Sequence, residues 1–185
     1  MIDSSLLHKY AVPVPRYTSY PTALSFHELT GPRPTSDADA PVSLYFHLPF
    51  CRSLCWYCAC TKVVTRKQQR SATYLGRLLD EVDGRALSSD RRVVQLHLGG
   101  GTPTFFRADE LETLVVGMRS RLDFADDAEL SVEIDPRVLD SDQIEALARA
   151  GFSRVSLGVQ DHNPQVQRHR LPSDGQHLNI DIIYI

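Results

Sequence analysis

Cys51-Arg52-Ser53-Leu54-Cys55-Trp56-Tyr57-Cys58-Ala59-Cys60 holds all four cysteines of the 185-residue chain. With no cysteine elsewhere, these thiols answer to one another or to a bound metal. The first three are spaced C-x3-C-x2-C, which lets one loop wrap thiolates around a compact iron–sulfur cluster. Three protein ligands leave one iron of a four-iron cluster open. An open coordination position is what separates a reactive metal site from a structural one. A disulfide between neighbours this close would be strained, and no secretion signal precedes the loop. A structural zinc site needs four thiolates aimed at one centre, usually from two separated pairs, and Cys58 and Cys60 are too close to share one metal comfortably. Ordinary buried thiols rarely crowd so densely. The cluster is the favoured reading, and zinc is the main alternative.

Immediately before the loop, Leu44-Tyr45-Phe46-His47-Leu48 reads as a buried strand ending at Pro49. After the loop, Leu75, Leu78, Leu79, Val82 and Ala86 recur at helical spacing, predicting a helix near 71–86 with Ser71 as its cap. Val93–Leu98 is a second strand running into Gly99-Gly100-Gly101-Thr102-Pro103. A helix is predicted over about 108–122, with Leu111, Leu114, Val115, Met118 and Leu122 inward. Leu130–Ile134 is a third strand, ended by Asp135-Pro136. A third helix at about 141–150 carries Ile144, Leu147 and Ala148 and stops at Gly151. Arg154–Val159 is the fourth strand. The alternation is β-α-β-α-β-α-β, and crossovers of this length mean parallel strands with helices outside, an α/β fold.

In parallel α/β architectures the chemistry gathers at the C-terminal ends of the strands. Here the unusual residues fall there each time: the cysteines after strand one, the glycine triplet after strand two, Glu133 at the end of strand three and Gln160 after strand four. Each has a plain structural reading when taken alone. Tyr45 would be a core aromatic, the glycines a loop, and Glu133 a solvated side chain. His47 and His97 read as hydrogen-bonded strand residues rather than metal ligands. Lys62, Arg66, Lys67 and Arg70 read as a solvated face preceding a helix, or as a greeting for an acidic substrate.

Composition is ordinary for a soluble globular protein. Hydrophobic residues make up 42% and charged residues 23%, and the net charge of −3 gives no bulk basic field for nucleic acid. No apolar run reaches membrane-spanning length, and the N-terminus lacks a targeting pattern, so a cytoplasmic protein is expected; a monomer is expected as well. Residues 1–41 form a separate region, with prolines at 13, 15, 21, 32, 34 and 41. They predict an extended arm ahead of a core at 42–185.

The cysteine spacing after a strand, with Tyr57 beside Cys58, resembles the signature of the radical S-adenosylmethionine (SAM) superfamily. The resemblance narrows with Pro15-Arg16-Tyr17-Thr18-Ser19-Tyr20-Pro21-Thr22-Ala23, Cys60, Gly99–Thr104, Glu133-Ile134-Asp135-Pro136 and Gly158-Val159-Gln160-Asp161. Together these resemble the oxygen-independent coproporphyrinogen III oxidase (dehydrogenase) family of haem biosynthesis. The resemblance implies a partial (β/α) barrel of the radical SAM type. It implies that Cys51, Cys55 and Cys58 hold a 4Fe-4S cluster whose open iron is chelated by SAM, with two SAM molecules bound in the family. One electron from an external donor would cleave SAM to a 5′-deoxyadenosyl radical. That radical would take hydrogen from a propionate of coproporphyrinogen III, and loss of carbon dioxide and one electron would leave a vinyl group. Two such events give protoporphyrinogen IX. Tyr45, Gly100, Gly101, Thr102 and Glu133 match cofactor-contacting positions. Gln160 and Asp181 match positions at the second SAM, and Cys60 matches no cluster ligand.

The match breaks at His169–Leu178, where the family has a helix, and resumes at Asn179–Tyr184 as a fifth strand. The expectation is a barrel incomplete after its fourth to fifth strand, without the family's C-terminal domain, and with weak or no activity alone. A haem chaperone related to the oxidases and a non-functional remnant are the alternatives. The Tyr17–Pro21 arm and Cys60 favour the oxidase.

Overall fold

The computed structural model describes residues 40–55, 58, 60–85 and 91–158, with His27, Glu28 and Gln165. The arm expected at 1–41, Gln160, Asp181 and the fifth strand lie outside these residues, except for four positions of the arm (27, 28, 40 and 41).

The described chain runs β1 (Val42–Leu48), β2 (Phe50–Cys51), β3 (Val63–Val64), α1 (Gln69–Gly84), β4 (Arg92–Gly100), a 3-10 turn (Pro103–Phe105), α2 (Ala108–Arg119), β5 (Asp123–Glu133), α3 (Ser141–Arg149) and β6 (Arg154–Ser156). A four-stranded sheet has the order β1-β4-β5-β6, and every neighbouring pair is parallel. Parallel neighbours require crossovers, and α1, α2 and α3 supply them. This is the α/β alternation the hydrophobic pattern predicts.

Registered rows explain the two faces of the sheet. Phe46 pairs with Leu98 and Leu98 with Val132, while Leu44, Leu96 and Leu130 form the row before. These rows join Leu75, Leu78 and Val82 of α1, Leu111, Leu114, Val115 and Met118 of α2, and Leu147 of α3 in one core. The intervening row is Tyr45, His97, Ser131 and Arg154. Side chains alternate along a strand, so the face away from the core is polar. Tyr45 is 57% exposed, which corrects the reading of β1 as a buried strand with Tyr45 as a core aromatic.

Four further details differ from the sequence pattern. The short ladder of β2 and β3 was not predicted; it pairs Phe50 with Val63 and Cys51 with Val64. β5 begins at Asp123, well before the predicted start, and its register with β4 breaks between Val93 and Gln95. Ser71 is not a cap. α1 starts at Gln69, and the buried Ser71 Oγ lies 2.6 Å from the Gln68 carbonyl and 2.7 Å from Glu110 Oε1. On α3, Leu147 faces inward as expected, but Ile144 and Ala148 are exposed, and Gln143 and Ala146 are buried in their place. A polar residue takes the inward position because Gln143 Nε2 donates to the carbonyls of Thr104 at 2.7 Å and Phe106 at 2.6 Å.

Candidate functional site

The cysteine loop is closed by backbone. Val63 N–H donates to Pro49 O at 2.7 Å and Thr65 N–H to Cys51 O at 2.9 Å, so both ends of the loop share one small ladder. Within it, Cys58 N–H donates to Cys55 O at 3.1 Å, a turn that reverses the chain between two thiols. Cys51 is buried, Cys55 and Cys58 are half-buried, and Cys60 is exposed.

The glycine segment packs against the start of this loop. Gly101 N–H donates to Leu48 O at 2.9 Å and Thr102 N–H to Phe50 O at 3.0 Å, so the β1–β4 pairing continues past the strand ends. A Cβ on Gly101 would stand 2.6 Å from the Pro49 backbone, and Gly100 has φ +114°, a region that favours glycine. The close approach these glycines permit is to the chain itself, and it brings Thr102 to the cysteines. The Thr102 hydroxyl is 3.3 Å from Cys51 Sγ.

Glu133 closes the next side. Its Oε2 accepts from Gly100 N–H at 3.1 Å, and its Oε1 lies 3.5 Å from His97 Nε2. His97 Nδ1 is 2.8 Å from Ser131 Oγ, and its ring stacks on Tyr45 with centroids 5.8 Å apart. His47 Nε2 sits 2.8 Å from the Thr61 carbonyl, which can only accept, so Nε2 carries the proton. In the neutral ring Nδ1 then accepts from Tyr45 O–H at 2.9 Å. Both histidines are therefore hydrogen-bonded strand residues, and His47 pins the far end of the cysteine loop. Partial burial, then the Glu133 carboxylate, holds the Tyr45 phenol above its ordinary range.

After β5, Asp135 grips Arg137 through Nε at 2.8 Å and through Nη2, and Arg137 Nη2 reaches Cys55 Sγ at 3.6 Å. Hydrogen bonding to Asp135 keeps the guanidinium firmly protonated. Burial pushes the Cys51 thiol up, and the Thr102 hydrogen bond opposes this. A buried thiol of this kind ionises on metal binding, so loading the site releases protons.

These groups surround one cavity of about 490 Å³, lined by Cys51, Cys55, Cys58, Gly100, Gly101, Thr102 and Glu133 among others. Among the described residues no three His, Cys, Asp or Glu side chains could hold a single metal ion. A cubane instead takes each thiolate on a different iron. Three soft donors lining one cavity, with the glycine segment beside them, suit such a cluster and a ligand next to it.

Residues 45–176 match the model of the Radical SAM superfamily. The chain belongs to the Radical SAM superfamily. As a radical SAM protein it takes a 4Fe-4S cluster and SAM as cofactors. Over 90% of its length it is 46% identical to the oxygen-independent coproporphyrinogen III oxidases of Pseudomonas aeruginosa and Escherichia coli. The Helicobacter pylori oxidase is 39% identical over 92% of the chain. A solved structure of coproporphyrinogen III oxidase from Escherichia coli, described as a radical SAM enzyme, superposes with a TM-score of 0.76 at 43% identity over 91% of this chain. The chain spans 38% of the length of that structure and of the first two oxidases, and 40% of the third.

In this radical SAM domain the structure brings seven of the predicted site residues to one cavity: the three cysteines, Gly100, Gly101, Thr102 and Glu133. Tyr45 does not line it, and stands behind Glu133 against His47 and His97. Asp135 and Arg137 also line the cavity. The sequence reading places Asp135-Pro136 at a strand end and within the resembling Glu133–Pro136 motif, gives Asp135 no site role, and does not single out Arg137. A charged pair two residues apart directly after a strand was the available signal.

Proposed function

We propose that this chain is the cofactor-binding part of an oxygen-independent coproporphyrinogen III oxidase, carrying out oxidative decarboxylation of coproporphyrinogen III to protoporphyrinogen IX. The observation that carries the reading is the convergence of Cys51, Cys55, Cys58, Gly100–Thr102 and Glu133 on one cavity at the strand ends. It stands in a chain 46% identical to such oxidases over 90% of its length.

Cys51, Cys55 and Cys58 would hold the cluster, and Thr102 would donate to the Cys51 sulfur. Arg137, fixed by Asp135, offers Cys55 an N–H and a positive charge. Gly100 N–H fixes one Glu133 oxygen and leaves the other to accept from an ammonium or ribose hydroxyl of SAM. Tyr45 supports the His97 ring behind Glu133. Gln160 and Asp181 belong in this reading to the second SAM. When bound, the cluster and SAM supply radical hydrogen abstraction, with one electron per event taken from an external donor. The oxidase reading also makes the protein a cytoplasmic monomer. No described helix is long and apolar enough to cross a membrane.

The test is anaerobic reconstitution with iron and sulfide, followed by assay with SAM, a reductant and coproporphyrinogen III. Release of 5′-deoxyadenosine with protoporphyrinogen supports the reading. Release of 5′-deoxyadenosine with a different substrate's product, or none at all, refutes it.

A further inference from the structure

The sulfurs of the cysteine loop do not share one environment. Cys51 Sγ has a neutral donor, the Thr102 hydroxyl at 3.3 Å. Cys55 Sγ has a charged one, Arg137 Nη2 at 3.6 Å. Lys62 also lines the cavity, but its Nζ donates to the Cys58 carbonyl at 3.2 Å rather than to a sulfur. The turn after β5 is built to hold Arg137 in this place. Asp135 Oδ1 accepts the backbone N–H of Arg137 at 3.1 Å and its Nε at 2.8 Å, while Oδ2 accepts from Nη2. Val138 N–H closes the turn on Asp135 O at 3.1 Å, and Ile134 N–H ties it to Ser156 O of β6 at 2.9 Å. A guanidinium fixed at its backbone and at two nitrogens has little rotamer freedom left to lose. The side chains of Arg137 and Asp135 are 24% and 21% exposed, so salt and water screen their charges less than at an open surface. Asp135 opposes the positive charge, but it is Arg137 Nη2 that touches the sulfur.

Hydrogen bonds to the ligating sulfurs and local charge set the reduction potential of an iron–sulfur site. A charged donor weighs about twice as much as a neutral one. We infer that Arg137, held by Asp135, raises the reduction potential of the cluster through Cys55. This inference rests on the cluster reading above. An added electron makes the ligating sulfurs more negative, so an N–H and a positive charge at Cys55 favour the reduced site over the oxidised one. Arg137 thereby acts on the step that precedes SAM cleavage, through a ligand and without touching the reacting atoms. The step balances simply: dithionite, the reductant of the test, gives up one electron, the site gains it, and no bond or proton moves within the protein.

The test is a redox titration of the full chain with dithionite, after anaerobic loading with iron and sulfide and without SAM, read by electron paramagnetic resonance. Arg137→Gln keeps a polar side chain and removes the charge. It is expected to move the reduction equilibrium about tenfold or more toward the oxidised cluster, a fall of about 59 mV in the one-electron midpoint. Arg137→Lys keeps the charge without the fork and should fall between. If the variants retain their iron and their midpoints equal that of the wild type, this inference alone falls. An unchanged midpoint with SAM affinity lowered by about tenfold or more gives Arg137 to the nucleoside cofactor instead, and also overturns it. Loss of iron from both variants assigns Arg137 to holding the cysteine loop and overturns the tuning role. A wild-type chain that retains no cluster overturns the functional reading together with this one.

Discussion

The amide of Gly100 donates to Glu133 Oε2 at 3.1 Å, tying the ends of two neighbouring parallel strands across the mouth of the cavity. The positive φ at Gly100 turns that amide, and the carboxylate is thereby held with one oxygen spoken for. Replacing Glu133 by alanine removes a partly exposed group, so the expected loss of stability is small, about 0.5–1.5 kcal/mol. SAM affinity should drop by about tenfold or more, since an acceptor for a cationic ligand is lost. Glu133→Gln should keep the Gly100 bond and recover stability but not affinity. Denaturant titration and calorimetry read the two effects separately, and an unchanged SAM affinity in the alanine variant contradicts the assigned role.

Gly101 is fixed by space. A Cβ there meets the Pro49 carbonyl carbon and oxygen at 2.6 Å, and backbone cannot swing aside as a side chain can. Gly101→Ala should cost about 1–3 kcal/mol and loosen the start of the cysteine loop, lowering iron retained after desalting. Gly76, inside α1 with no described residue within 4 Å of where a Cβ would stand, is the control. There alanine should stabilise by about 0.5–1 kcal/mol. Urea midpoints for both variants check the pair.

Buried polar contacts lock α3 to the 3-10 turn and α1 to α2. Gln143→Leu strands the Thr104 and Phe106 carbonyls, and Ser71→Ala leaves Glu110 with fewer donors. Each should destabilise by about 1–3 kcal/mol. The two act through different partners, so the double variant should show near-additive losses. A loss well under 1 kcal/mol at Gln143, measured by urea denaturation, would count against its structural role (~1 kcal/mol being the floor of the stated range).

Thr104 offers the opposite sign. Its hydroxyl is buried and has no hydrogen-bond partner among the described residues. Thr104→Val keeps the shape and deletes the unsatisfied group, so the midpoint should rise or stay level, by up to about 1 kcal/mol. A clear loss would show that the hydroxyl is engaged.

Much of the fold was legible because the signals are periodic. Leu75, Leu78 and Val82, and Leu111, Leu114, Val115 and Met118, repeat at helical spacing and are buried as read. The strand ends were legible because Pro49, Gly99–Gly101 and Asp135-Pro136 break each apolar run. What escaped has a physical reason. The β2–β3 ladder is two residues on each side, below any periodicity, and depends on pairing across the cysteine loop. Gln143 and Ser71 face inward because distant carbonyls and a carboxylate receive them, which spacing does not encode. The cysteines, glycines and Glu133 were found as chemistry-bearing residues at strand ends. Arg137 was missed because its significance comes from Cys55, distant in sequence and 3.6 Å away in space.

The central claim is that Cys51, Cys55 and Cys58 together hold a cluster that leaves one iron for SAM. The most direct measurement is iron, sulfide and zinc per chain after anaerobic reconstitution, with 5′-deoxyadenosine release on adding SAM and dithionite. The account predicts a brown protein with about four irons and four sulfides, nucleoside release, and loss of both when any one of the three cysteines becomes alanine, while Cys60→Ala keeps its iron. A colourless chain that takes up zinc instead, or a cluster undisturbed by Cys55→Ala, would contradict it.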